Sequence, residues 1–185
     1  DLRLSRARLN EAQTLARLGN WELDLRNDIL TWSDEIYRMF GMEPQMFKAT
    51  YEAFLDAIHP EDREMVNHAY TDSLQKKTSY SIDHRLLMKD GSVKYVHEQC
   101  ETQYDESGQP VRSIGMVQDI TERQQAEELV RESEERFRAL SEASFESLFI
   151  SEKGICLEQN QTAEKMFGFS PEEAVGRKGT EWIVP

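Results

Sequence analysis

The stretch Val111-Arg112-Ser113-Ile114-Gly115-Met116-Val117-Gln118-Asp119-Ile120-Thr121-Glu122-Arg123 decides the fold. Val111 to Asp119 reads as a strand, with Ser113, Gly115 and Val117 on one face. From Thr121 the composition changes abruptly. Thr121-Glu122-Arg123-Gln124-Gln125-Ala126-Glu127-Glu128 is rich in helix formers, and no Gly or Pro follows until Gly154. A strand that runs directly into a helix leaves free amides at the helix start. The Asp119 carboxylate can accept from them, and the Thr121 hydroxyl can do the same.

Upstream, Tyr80 to Met88 and Val93 to Tyr104 are two more strands. Lys89-Asp90-Gly91-Ser92 is a tight hairpin signal, and Glu106-Ser107-Gly108-Gln109-Pro110 turns the chain again. Three consecutive strands joined in this way make an antiparallel meander. Before it, Leu2 to Leu18 reads as a helix with Leu2, Leu9, Ala12 and Ala16 near one stripe, stopped by Gly19. Asn20 to Leu25 and Ile29 to Trp32 pair as a hairpin around Arg26-Asn27-Asp28. Ser33 or Asp34 then caps a helix carrying Ile36, Tyr37, Met39 and Phe40, which Gly41 ends. Residues 43–58 hold Pro44, Phe47, Tyr51, Phe54, Leu55 and Ile58 in short helical turns. His59-Pro60-Glu61-Asp62 breaks them, and Asp62 caps a helix from Arg63 to Leu74 with Met65, Val66, Ala69 and Tyr70 turned inward.

Downstream, Ala126, Val130, Ser133, Phe137 and Leu140 alternate at heptad spacing. That seam suits a homodimer through linker helices; the competing reading is a surface helix packed on its own sheet. Beyond it the sequence repeats. Glu164-Lys165-Met166-Phe167-Gly168 resembles Tyr37-Arg38-Met39-Phe40-Gly41, and Arg136-Phe137 with Leu140 resembles Arg8-Leu9 with Ala12. Both pairings share one offset to within a residue, so the chain from about residue 141 reads as the start of a second copy. The second copy stops at Pro185, before any counterpart of Tyr80 to Asp119, and half of such a unit is not expected to bury a core alone.

The chain has 185 residues and a formal charge of −13. That acidity argues against nucleic acid or an anionic membrane surface as a partner, since both need clustered cations. No window approaches about 18 consecutive apolar residues, so no membrane contact is expected from this segment. Two cysteines, Cys100 and Cys156, are too few for a disulfide scaffold and suit reduced thiols in a cytoplasmic protein. The start at Asp1-Leu2-Arg3-Leu4 shows no signal core, and the chain reads as a piece of something longer.

The order of elements, with His59-Pro60-Glu61-Asp62, Arg85 before Lys89-Asp90-Gly91, Ser107-Gly108 with Pro110, and Asp119-Ile120-Thr121-Glu122-Arg123, resembles a PAS domain with its C-terminal PAC motif. Gly19-Asn20-Trp21 and Trp32-Ser33 resemble the PAS subfamily with a tryptophan-bearing first hairpin. The resemblance implies an α+β fold, a five-stranded antiparallel sheet with flanking short helices and long helical linkers. It implies a linker helix over 1–18, a PAS domain over 19–120, a signalling helix over 121–140 and a truncated second PAS domain over 141–185. Asp119, Ile120 and Thr121 become the signal junction, with Ala126, Val130, Phe137 and Leu140 on the dimer helix.

Folds of this kind hold a cavity between sheet and helices. Strand alternation turns Ile82, His84, Leu86, Val96, Glu98 and Val117 toward it, with Cys100, Ser113 and Gly115, while Met39, Phe40, Phe54, Met65 and Tyr70 close the other side. Flavin photochemistry is rejected, because no Cys lies between Asp1 and Gln99 and because aliphatic Leu86, Val96 and Val117 occupy the places of the ring-binding amides. A flavin stacked on Trp21 or Trp32 competes with plain core packing of those rings. Haem is disfavoured: His68 sits about two residues beyond the position the resemblance implies, roughly 200° around a helix. No spacing enforces a metal cluster from Asp83, Glu98 or Glu101. His84, with Glu98, is the candidate contact for a small polar metabolite, and a fully packed core is the alternative.

Enzyme motifs such as Gly-x-Ser-x-Gly, a phosphate-binding glycine loop and His-Glu-x-x-His are absent from the sequence. None of the four histidines lies on Leu2–Leu18 or Thr121–Leu140, where a phospho-accepting histidine would sit. The expectation is a non-catalytic sensory module of a larger signalling protein, a sensor histidine kinase or a diguanylate cyclase, acting on a downstream effector domain. The alternative is a ligand-free scaffold that holds neighbouring domains in dimeric register.

Overall fold

The computed structural model describes residue 8, residues 11–43 and residues 49–179. The chain forms two compact units, Asp1–Gln125 and Ala126–Pro185.

In the first unit, residues 11–16 form α1, and Arg17 reverses the chain with a left-handed φ of 49°. Strand β1 (Leu18–Asp24) starts at once, so Gly19 is a strand residue and not the expected helix stop. Packing requires the glycine: a Cβ there would meet Ile36 Cγ1 at 2.3 Å, beneath α2 (Asp34–Met39). Of the expected stripe, Leu2 and Leu9 lie outside the described residues, and Ala12 and Ala16 are exposed. Asp24 Oδ1 accepts from the Arg26 and Asn27 amides at 2.9 and 3.0 Å and turns β1 into β2 (Ile29–Trp32).

Ser33 stands at the N-cap of α2, but its Oγ accepts from Asn20 N at 3.0 Å instead of a helix amide. Pro44 and Phe47 lie outside the described residues. Helix α3 (Tyr51–Ala57) is capped by Thr50, whose side chain accepts from Ala53 N at 3.1 Å.

Helix α4 (Arg63–Lys76) corrects two expectations. Asp62 does not cap it with its side chain. Asp62 Oδ2 accepts from Arg85 N at 2.8 Å and Nε at 3.0 Å, and Oδ1 accepts from Nη2 at 2.6 Å. A two-pronged guanidinium contact outcompetes one helix amide. Met65 is 42% exposed, because α4 turns Val66, Tyr70 and Ser73 inward and a neighbouring residue points about 100° away. Ala69 is half-buried.

The hydrogen bonds from Arg85 hold the Asp62 carboxyl below the usual carboxylate range. A lowered native value stabilises the fold above the unfolded carboxyl's range, and the stabilisation is lost as pH falls through the native value. The difference in unfolding free energy between the parent chain and Asp62→Asn is therefore expected to be largest near neutrality and to shrink on acidification. Urea titrations across acid pH measure it.

Strands β3 (Tyr80–Leu87), β4 (Val93–Tyr104) and β5 (Pro110–Asp119) form the meander. Their turns place Gly91 at φ 84° and Gly108 at φ 78°, a region that favours glycine. β1 pairs with β5, so the antiparallel sheet runs β2-β1-β5-β4-β3. Ile36, Ile58, Val66, Leu86, Val96 and Val117 are fully buried in its core.

Helix α5 (Thr121–Ala143) runs beyond the expected end at Leu140 and buries no residue. In the second unit, β6 (Phe149–Glu152) and β7 (Ile155–Gln159) form a hairpin before α6 (Gln161–Phe167) and α7 (Pro171–Ala174). Gly168 ends α6 at φ 78°, as Gly41 follows α2 at φ 67°. Asn160 Oδ1 accepts from Ala163 N and Leu148 N, both at 3.0 Å, which seats the hairpin against the helix start.

Candidate functional site

Rows across the sheet build the site. Trp21 on β1 faces Gly115 on β5, which faces Cys100 on β4, which faces Tyr80 on β3. The next row runs from Gly19 through Val117 and Glu98 to Ile82. The small residues of the first row leave space above the sheet for large neighbours. A Cβ on Gly115 would lie 2.2 Å from the Trp21 ring.

Trp21 and Tyr80 thereby converge on Glu98 from opposite sides. Trp21 Nε1 donates to Glu98 Oε1 at 3.1 Å, and the Tyr80 hydroxyl donates to the same oxygen at 3.0 Å. His84 Nε2 lies 3.1 Å from Glu98 Oε2. The side chains of both His84 and Glu98 are 0% exposed. A buried carboxylate is tolerated only when its oxygens are satisfied, and three partners on strands β1 and β3 supply that. His84 Nδ1 is buried and makes no hydrogen bond. Burial, and secondarily the Glu98 charge, push the Tyr80 hydroxyl well above its usual range, so it stays a donor. Burial likewise pushes the Cys100 thiol up to about 12, which keeps it protonated and unreactive at neutral pH.

Above Glu98 a cavity of about 20 Å³ separates sheet from helices. That is room for roughly one water, against the roughly 300–1,000 Å³ of ordinary small-molecule sites. Its outer wall is an arc of rings, Trp32–Phe40–Phe54–Tyr51–Tyr70, with successive centroids 5.2, 6.3, 6.1 and 5.9 Å apart. A flavin or haem ring would require this arc to open. Tyr70 OH also lies 3.2 Å from Ser113 Oγ, tying α4 to β5.

Of the residues expected at the cavity, Phe40, Phe54, Tyr70, Glu98 and Val117 line it. His84 reaches it through Glu98 and packs edge-on against Phe54 at 6.2 Å. Leu86 and Val96 are buried core residues outside the lining, and Ile82 is only partly buried beside the core. Met65 is excluded by its exposure. Tyr51 and Tyr80 were not expected as lining, and Trp21 and Trp32, read mainly as core packing, line it too. Tyr80 shares the strand parity of His84 and could have been found that way. His68 is exposed on α4. Among the described residues no group of three or more His, Cys, Asp or Glu is placed to hold a metal ion, and no helix is long and apolar enough to cross a membrane.

At the foot of β4 the sheet meets the exit helix. Asp119 Oδ1 accepts from Thr121 N at 2.9 Å, the expected cap. Thr121 acts differently from expectation: its Oγ1 accepts from Tyr95 N at 3.0 Å, so the hydroxyl binds strand β4. Ile120 is buried, and its amide donates to Tyr95 O at 2.9 Å. Asp119 N donates to Arg17 O at 3.1 Å, which joins the end of α1 to the same point. On α5, Phe137 is 51% and Leu140 67% exposed; Val130 is exposed too, and so is Ala126.

Two family models described as the PAS fold match residues 29–117 and 134–184. Together the matched segments cover most of the chain. "Probable diguanylate cyclase DgcE" of Escherichia coli (strain K12) is 26% identical over 91% of this chain and 15% of its own length. "Sensor protein FixL" of Bradyrhizobium diazoefficiens is 27% identical over 86% of this chain and 32% of its own length. The chain therefore spans less than a third of each of these relatives. Among solved structures, a sensory box histidine kinase/response regulator from Burkholderia thailandensis superposes with a TM-score of 0.58 at 24% identity, covering 71% of this chain and 98% of that one.

Proposed function

Because the chain belongs to the PAS family, a sensory module homologous to parts of diguanylate cyclases and sensor proteins, we propose that residues 19–120 sense an input and pass it along helix 121–140. Residues 141–185 begin a second PAS unit, and the segment before Leu18, which includes α1, leads in as a linker. The module transmits and does not catalyse. The output belongs to an effector elsewhere in a cytoplasmic signalling protein, of the histidine kinase or diguanylate cyclase class.

One observation carries this reading. Strand β4 holds both Glu98, the charged wall of the cavity, and Tyr95, which binds Ile120 and Thr121 by three backbone-anchored contacts. A change at Glu98 therefore displaces the same strand that seats the helix. The input must bind two arrangements of that seat with different affinity, or nothing is transmitted.

The test is Asp119→Ala. Losing one cap is expected to cost about 1 kcal/mol, leaving the domain folded. In the full-length protein the same variant is expected to flatten the response of output to input. A normal response would remove the junction as conduit.

The homodimer is proposed through Ala126, Val130, Phe137 and Leu140, whose exposed positions form the heptad seam. Phe137→Glu is expected to lower the native mass, read by light scattering, toward that of one chain; an unchanged mass would dismiss the seam. The scaffold reading is kept for one reason, the small size of the cavity.

A further inference from the structure

We propose that the cavity binds a small ammonium cation, between ammonium and methylammonium in size. This rests on the sensory reading above and names its ligand class.

Three observations lead there. First, the charged group on the cavity wall is an acid: Glu98, wholly buried, with no lysine or arginine lining the cavity among the described residues. Second, its oxygens are incompletely used. A carboxylate offers about four acceptor positions. Trp21 and Tyr80 fill two on Oε1 and His84 fills one on Oε2. Third, much of the remaining wall is the aromatic arc, whose ring faces attract cations, and aliphatic Leu23, Leu30, Ile36 and Val117 complete it.

Charge completes the argument. His84 is the basic group against Glu98. His84 Nε2 lies 3.1 Å from Glu98 Oε2, and its Nδ1 is a buried atom that makes no hydrogen bond. A small cation would take the acceptor position on the carboxylate that Trp21, Tyr80 and His84 leave open. A molecule of one or two heavy atoms is what about 20 Å³ accommodates.

The experiment titrates the 185-residue chain with methylammonium chloride. Unfolding temperature and tryptophan emission are recorded, since Trp21 and Trp32 both line the cavity. Sodium chloride at equal concentration and methanol, a neutral molecule of the same size, are run beside it. A saturable rise of a few degrees is expected for ammonium and methylammonium alone. The dissociation constant is expected on the order of ten millimolar, the limit for so few heavy atoms. Tetramethylammonium, too large for the cavity, is expected to give none. Glu98→Gln keeps the shape and removes the charge, and is expected to weaken binding at least about tenfold.

No saturable response to either small cation, or an equal response to methanol, overturns the proposal without recourse to any variant. An undiminished response in folded Glu98→Gln overturns it as well. A panel of small metabolites in the same assay separates the two readings. Stabilisation by another compound with none by ammonium ends this inference and leaves the sensory reading standing. Silence from the whole panel ends both.

Discussion

Gly115→Ala is expected to lose about 3 kcal/mol of unfolding free energy, near the upper end for an overpacked core. The new methyl would lie 2.2–2.4 Å from Cε2, Cζ2 and Nε1 of Trp21, so the indole has to move. An indole is a rigid plane held on its other side by the core, and it cannot swing aside as the tip of a lysine can. Moving it breaks the Trp21 Nε1 bond to Glu98 Oε1 and leaves a buried carboxylate short of one donor. The penalty therefore adds a steric to an electrostatic contribution. Urea unfolding measures the loss, and a red shift of tryptophan emission reports the displaced ring. A loss below about 1 kcal/mol with unchanged emission would mean that Trp21 does not lie across Gly115.

Leu86→Ala is expected to cost about 2–5 kcal/mol. Leu86 is 0% exposed on β3, and its backbone also bridges to Ile58 beyond α3. No neighbouring strand can close the gap, because β3 is held along its length by β4. The mechanism is lost transfer energy plus a cavity that only partly collapses. A nearly neutral result in urea unfolding would indicate a loosely filled interior, and would contradict the small cavity above Glu98.

Much of the first unit was legible in the sequence, for a physical reason. A strand with one buried face alternates strictly, so Val96, Glu98 and Cys100 had to share a side, as did Ser113, Gly115 and Val117. Asp90-Gly91 and Ser107-Gly108 demand turns because only those residue types tolerate the backbone required. The hairpin β1–β2, the meander and the exit helix were found in this way. Helices were harder to read. The four-three spacing of Val66, Tyr70 and Ser73 mixes apolar with polar residues, so Met65 looked as good an inward residue as Val66. Gly19 shows the same limit: glycine ends helices and also admits close packing, and nothing local separates those uses. Asp62 is a strong cap by type, and only Arg85, distant in sequence, diverted it.

Of the candidate site, the sequence located His84 and Glu98 and part of their surround, Phe40, Phe54, Tyr70 and Val117, but not the rings of Tyr51 and Tyr80. Trp21 and Tyr51 come from segments far away along the chain, and no local spacing predicts that they meet.

What the amino-acid sequence determined by itself is therefore the local grammar: strand faces, turns, the cap at Asp119, the repeat of Met39-Phe40-Gly41 at Met166-Phe167-Gly168. These follow from short-range sterics and from periodicity. What tertiary structure alone decided is partnership. Pairing β1 with β5 set Trp21 against Gly115, and folding the helices over the sheet placed an arc of aromatics above one carboxylate. Contacts of that kind depend on the register between strands distant in the chain, which no neighbouring residue encodes.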